Sequence, residues 1–142
     1  MQAGTDIETT TLQAYAETEY RVNGEAPFVL RVGKASAALL ALHRQSRTDS
    51  SAFVTAWNPF GEALDDAENA ARMSVLEGEL RFRGLSFVDG VGQHPSGGWP
   101  GEVSFLVLGL ALEAAKALGQ RHQQNAIIWS GPDAVPQLIL LR

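Results

Sequence analysis

Short apolar runs arrive in pairs along this chain, each pair parted by a segment too rich in turn-forming residues to be helical, with helical stretches between the pairs. Tyr20–Val22 and Phe28–Val32 flank Asn23-Gly24-Glu25-Ala26-Pro27, the composition of a hairpin turn, and Gly33 ends the second strand. Leu85–Val91 and Val103–Leu108 flank a glycine-rich loop, Gly92-Gln93-His94-Pro95-Ser96-Gly97-Gly98-Trp99-Pro100-Gly101. Ala126–Trp129 and Gln137–Leu141 are parted by a segment that opens with Ser130-Gly131-Pro132-Asp133. One further run, Ala52–Trp57, stands alone and is stopped by Asn58-Pro59, because proline disfavours helix at the residue before it. Hairpins of this kind pair antiparallel and helical crossovers join the rest, so a mixed, mostly antiparallel sheet follows.

Between these strands, apolar residues recur at three- and four-residue spacing. Thr9–Thr18 carries Leu12, Tyr15 and Ala16 on one side, and Ser36 caps a helix that reaches Gln45 and buries Leu39, Leu40 and Leu42. A long helix begins near Glu62 and reaches Leu80 or beyond, with Gly78 as a weak point. The last runs from Ala111 to about Gln123, its Lys116, Arg121 and His122 matching the negative pole of the helix dipole. The predicted order is α, β, β, α, β, α, β, β, α, β, β, without repeats or an internal linker. It describes one α+β domain over residues 1–142 with helices packed on at least one face of the sheet.

Composition narrows the function classes. At 142 residues, 45% apolar and 19% charged, folding hides roughly two-thirds of the open chain's surface, enough for a core without staples. Cysteine is absent, which excludes disulfides, thiolate nucleophiles and cysteine-bound metals. Sixteen acidic against 11 basic residues give a formal charge of -5, the wrong sign for nonspecific capture of nucleic acid. Asp6, Glu8, Glu17 and Glu19 among five threonines leave no basic or apolar export signal in the first twenty residues. The longest apolar stretch, Val103–Leu112, is about half a membrane span. These features predict a soluble, cytoplasmic protein with no membrane partner.

The informative residues are polar ones in apolar rows. Helical spacing backwards from Met73, Leu76 and Leu80 passes through Asn69 and then Asp65/Asp66 to Glu62, so the buried stripe turns polar towards its amino end. That end follows the strand closed by Asn58, and strand-to-helix junctions with unpaired amides favour ligands. Asn69 either ties down the Trp57–Gly61 turn or touches a ligand. Arg72 is a solvated charge, a partner for Glu68 four residues back, or an anion-binding fork. Glu102 leads a very apolar strand, where alternation sets Glu102 and Ser104 on one face with Leu106 and Leu108 and sets Val103, Phe105 and Val107 on the other. It reads as an edge charge, a partner for an arginine, or a general base tuned by burial.

No defined catalytic constellation is visible. His43, His94 and His122 are each expected at the surface, and no pair has the spacing of a helical zinc site, so neither metal nor cofactor is expected. Ser104 lacks the Gly-x-Ser-x-Gly elbow, and the Gly90–Gly101 loop has no P-loop lysine. Trp99 at its tip is a core anchor or an exposed contact for a partner.

The run Phe53-Val54-Thr55-Ala56-Trp57-Asn58-Pro59, Glu68-Asn69 with Arg72, the strand Glu102-Val103-Ser104-Phe105-Leu106-Val107, Gly119-Gln120-Arg121 and Gln124-Asn125-Ala126-Ile127 together resemble bacterial proteins catalogued as domain of unknown function 3293. The likeness covers roughly residues 12 to 141. It implies a small bacterial α/β domain and places Thr55, Asn58, Asn69, Glu102, Ser104 and Gln124 at the family's polar positions. Where the family phrase more often reads Phe-Gly-Gln-Asn, this chain has Arg121-His122-Gln123 ahead of Gln124-Asn125, which leaves Gln124 as the match.

The leading expectation is a binding or regulatory domain whose polar pocket is built from Asn58, Asn69 and Arg72, with Glu102 and Gln124, for a small polar ligand or a protein segment. A small hydrolase or transferase on an anionic or nucleotide-like substrate is the rival, with Glu102 as base and Arg72 stabilising charge. An acidic inhibitor or immunity-type interaction partner is the third.

Overall fold

The computed structural model describes residues 5–98 and 100–142. Trp99 lies outside the described residues. The helices are α1 (Thr9–Glu17), α2 (Ala37–Gln45), α3 (Asp66–Phe82) and α4 (Leu112–Arg121). The strands are β1 (Glu19–Val22), β2 (Phe28–Leu30), β3 (Ser51–Val54), β4 (Phe87–Gln93), β5 (Glu102–Leu108), β6 (Ala126–Ser130) and β7 (Gln137–Leu140). Their order along the chain is the predicted one, with a 3₁₀ turn at Pro59–Gly61 added between β3 and α3.

The seven strands form one sheet in the order β2-β1-β4-β5-β3-β6-β7. Every pairing is antiparallel, including the long-range ones of β1 with β4 and of β3 with β5 and β6, so the crossovers add no parallel pair among the described residues. The result is the expected single α+β domain, with a sheet that is antiparallel in all of its described pairings rather than mixed. No helix among the described residues is long and apolar enough to cross a membrane.

Strand alternation distributes the core over two faces. Ala52, Val54, Phe105, Val107 and Ile127 meet Met73, Leu76 and Leu80 of α3 and Ala115 and Leu118 of α4. On the opposite face Tyr20, Val22, Leu30, Phe53, Leu106 and Ile128 pack around Leu39 of α2. Each fully buried leucine in these layers contributes roughly 1.5–3 kcal/mol. One tether between α1 and the sheet is the Tyr20 hydroxyl, which donates to the Tyr15 carbonyl at 2.6 Å. Ser36 caps α2 as expected, its Oγ accepting from Leu39 N at 3.0 Å.

Two boundaries differ from expectation in the same place. β3 ends at Val54 rather than Trp57, because the Thr55 hydroxyl donates to the Val103 carbonyl at 2.6 Å and accepts from Trp57 N at 3.0 Å, which turns the chain out of the ladder. Helix α3 begins at Asp66 rather than near Glu62, capped by Asp65, whose Oδ1 accepts from Glu68 N at 2.7 Å. The chain between them passes through left-handed backbone at Asn58 (φ 48°) and Phe60 (φ 53°). Helix α3 then runs unbroken through Gly78.

The surface reading of the histidines is corrected for two of the three. His43 is 1% exposed, its Nε2 bonded to Ser51 Oγ at 2.8 Å, because it stands on the same side of α2 as Leu39 and faces the sheet. Burial lowers its pKa. His122 is also buried and bonds Glu79 Oε1 at 2.9 Å.

Candidate functional site

The polar end of β5 and the turn after β3 leave the core on the face that α1 covers. Glu102 and Ser104 continue the row of Leu106, while Phe105 and Val107 face α3 and α4, the alternation expected from sequence. Beyond the packed part of that row lies a cavity of about 150 Å³. Its walls include Tyr15 of α1, Tyr20 of β1, Phe53 of β3, Glu102 and Ser104 of β5, and Gln124 and Asn125 just before β6. Asn58 and Thr55 close it from the turn, and His94 stands at its rim on the loop after β4.

Asn58 is held in its left-handed conformation from behind. The Asn69 carboxamide, 1% exposed, accepts from Asn58 N at 2.8 Å, donates to Asn58 Oδ1 at 2.8 Å and donates to the Leu64 carbonyl at 3.3 Å. Leu64 N donates to the same Asn58 Oδ1 at 3.0 Å, which keeps residues 62–64 wrapped around the turn instead of adding to α3. With its oxygen engaged on this side, the Asn58 side chain hydrogen-bonds the Glu102 carboxyl.

Arg72 stands at the adjacent turns. Its Nε donates to the Ala56 carbonyl at 2.8 Å, one terminal nitrogen to the His122 carbonyl at 2.7 Å, and the other to Gln123 Oε1 at 3.1 Å. The guanidinium fork thereby clamps the segment that carries Asn58 to the segment that carries Gln124. Gln124 completes the junction, its Nε2 donating to the Trp57 carbonyl at 3.3 Å and the His122 carbonyl at 3.1 Å.

Of the five residues expected at the site, Asn58, Glu102 and Gln124 converge on the cavity, and Asn69 and Arg72 do not line it. The polar atoms of Asn69 and Arg72 are matched by main chain and by neighbouring amides, since each sits under a turn that would otherwise leave carbonyl and N–H groups buried and unanswered; for Asn69 this is the turn-tying role, one of its two readings from sequence. Arg72 turns to these carbonyls.

Burial pushes the Glu102 carboxyl up to about 7, with the hydrogen bond from Asn58 only partly offsetting it. A carboxyl of that kind exchanges a proton near neutrality or pairs with a cation that enters beside it. Burial likewise raises the Tyr15 hydroxyl, offset in part by the Asn125 side chain, whose Nδ2 donates to Tyr15 Oη at 3.1 Å. Asn125 Oδ1 accepts in turn from Arg142 at 3.0 Å. The Ser104 hydroxyl donates to the Glu102 carbonyl at 3.0 Å and so is not poised as a nucleophile.

Tyr15, Asn125 and His94 also line the cavity, and no pattern or spacing in the sequence singles them out as site candidates. Spacing places Tyr15 on the buried side of α1, and its hydroxyl, the one polar tip in the row of Leu12, Tyr15 and Ala16, is the available signal. Asn125 belongs to the Gln124-Asn125-Ala126-Ile127 phrase, but only the fold shows that its amide faces α1.

A family described as "protein of unknown function (DUF3293)" matches residues 54–127, more than half of the 142. The matched span is narrower than residues 12–141, yet it holds the β3 turn, α3, β5 and the Gln124 segment, and thus Asn58, Asn69, Arg72, Glu102 and Gln124. Tyr15 and Tyr20, which wall the cavity from α1 and β1, fall outside it. No curated protein and no solved structure matches the chain.

Proposed function

The chain belongs to the DUF3293 family, and from that footing we propose that it is a binding domain whose ligand is a small polar molecule seated between α1 and the polar end of the sheet. One observation carries this reading. Asn58, Glu102 and Gln124 come from three separate segments and meet at a single cavity, and two of those segments are braced from behind, that of Asn58 by Asn69 and that of Gln124 by Arg72. Concave sites with a mainly apolar lining and a few convergent polar groups are where small ligands bind.

A second reading, a small acid–base enzyme, is favoured by the Glu102 carboxyl, which titrates near neutrality. One experiment addresses both. Isotope-labelled protein is titrated with a library of small polar fragments while the side-chain amide signals of Gln124 and Asn125 are followed by NMR. Binding fragments are expected to move those signals. Fragments that bind only elsewhere, or no binding at all, would sink the site. A fragment consumed by the wild type and left intact by Glu102→Gln decides for the enzyme.

A further inference from the structure

Most of the polar groups that line the cavity are already matched within the chain. The hydroxyl protons of Ser104, Thr55 and Tyr20 are taken up by the carbonyls of Glu102, Val103 and Tyr15, at 3.0, 2.6 and 2.6 Å. The Gln124 Nε2 is occupied by two main-chain carbonyls, so its own carbonyl oxygen is what remains. Asn58 accepts from Leu64 N and Asn69 on one side and turns its side chain to Glu102 on the other. The guest therefore meets two acceptors, the Glu102 carboxyl and the Gln124 oxygen, and one donor, the hydroxyl of Tyr15, which accepts from Asn125, among the rings of Tyr15, Tyr20 and Phe53.

The charge points the same way. No lysine or arginine is among the described residues that line the cavity. Arg142, close enough to act on the Tyr15 hydroxyl, is held by Asn125 at 3.0 Å and lies 4.5 Å over the Phe60 ring. At the rim, His94 stands 3.6 Å from Glu17, a second acidic group. An anion entering here would meet the Glu102 carboxyl while Arg142 is already engaged by Asn125 and the Phe60 ring, whereas a cation would meet a carboxylate, a carbonyl and aromatic faces.

On the reading that this cavity is a ligand site, we propose that it takes a free small organic cation, an alkylammonium or guanidinium group, paired with Glu102 and hydrogen-bonded to the Gln124 carbonyl. A volume of about 150 Å³ limits the enclosed part to a few carbons, since an engineered cavity of that size accepts benzene. The groups that face Glu102 are Asn58 from the turn, Tyr15 from α1 and Tyr20 from β1, with His94, Glu17 and Arg142 further out. A guest cation favours the ionised carboxyl and so releases a proton from Glu102 on binding.

The test is calorimetric titration at about pH 6 and about pH 8, in buffers of differing ionisation enthalpy, with NMR mapping to the Gln124 side-chain amide. The probes are butylammonium and agmatine, with butyramide, butyrate and inorganic phosphate as neutral and anionic counterparts. The cations are expected to bind roughly tenfold tighter at the higher pH, to release protons at the lower one, and to lose at least about tenfold in affinity in Glu102→Gln, which removes a charge and keeps the shape. Proton release is read on the wild type alone, so the inference stays testable if the variant folds poorly. Butyrate, phosphate or butyramide binding in the cavity as tightly as the cations overturns the inference and leaves the ligand site standing. A lysine side chain presented as N-acetyl-lysine methylamide binding tighter than both free cations overturns the free-molecule source. Silence from every probe removes the inference, and silence from the broader fragment library as well removes the site.

Discussion

Asn69 is a buried amide whose oxygen and nitrogen are both answered by the turn it faces, and its importance lies in what it does to Asn58. A residue other than glycine at φ 48° persists only where its surroundings over-determine it. Here one carboxamide reads the main-chain N–H and the side chain of the same residue. Asn69→Ala strands the Asn58 N–H and the Leu64 carbonyl, so the variant should lose roughly 2–3 kcal/mol in urea denaturation, the desolvation cost of unanswered buried groups. It should also loosen ligand contacts at Asn58 without removing any group from the cavity. A loss below about half a kcal/mol would show that Asn58 keeps its conformation by other means. Glu102 shows the complementary case: a carboxyl leading into an apolar strand is conspicuous in the sequence as an edge guard or a site group alike, and the fold sets β5 between β4 and β3, away from either edge of the sheet.

At the scale of elements, α3 is the frame of the site. Its apolar row of Met73, Leu76 and Leu80 seats it on the sheet, while Asn69 and Arg72, one turn apart on its amino-terminal half, reach the turns after β3 and after α4. The start of this helix is therefore where site geometry and helix stability meet. Asp65→Ala removes the acceptor for Glu68 N and should cost about 1 kcal/mol, seen as a lower denaturation midpoint with an unchanged slope. Faster amide exchange confined to the first turn of α3 and to residues 58–64 is the expected signature. Exchange unchanged there would separate the cap from the turn. The sequence pointed to a start near Glu62 because Asn58-Pro59 and Gly61 read as one turn, and nothing local shows that residues 62–64 are drawn back to Asn58.

For the whole molecule, acid and base act on different parts. Glu102, raised from 4.5 to about 7, holds its proton in the fold across a range where the open chain has lost it. The stability it contributes is complete below pH 4.5 and is lost as pH rises through 7. Glu79 has the opposite sign. Burial alone would raise it, but hydrogen bonds and charge from Arg121 and His122 outweigh that and hold it at about 2, so its contribution is complete above 4.5 and disappears as pH falls towards 2. Buried His43, with its pKa lowered by desolvation, likewise favours the fold above 6.5 and opposes it once it must charge. Glu102→Gln should therefore be more stable, relative to wild type, at about pH 8 than at about pH 4.5, by on the order of 3 kcal/mol in urea denaturation. Parallel pH profiles for the two proteins would mean that Glu102 is solvated.

The sequence by itself determined the element order, the two-faced alternation of β5 and the burial of the α3 stripe as far as Asn69, because these depend on periodicity and turn chemistry within a few residues of one another. Only the tertiary structure decided that Tyr15 and Asn125 join Asn58, Glu102 and Gln124, that Arg72 looks away from them towards carbonyls, and that His43 and His122 are interior. The β1–β4 and β3–β5 pairings set those neighbours, through contacts between residues far apart in the chain. A polar side chain carries no local mark of whether its partner will be a ligand or the protein's own main chain.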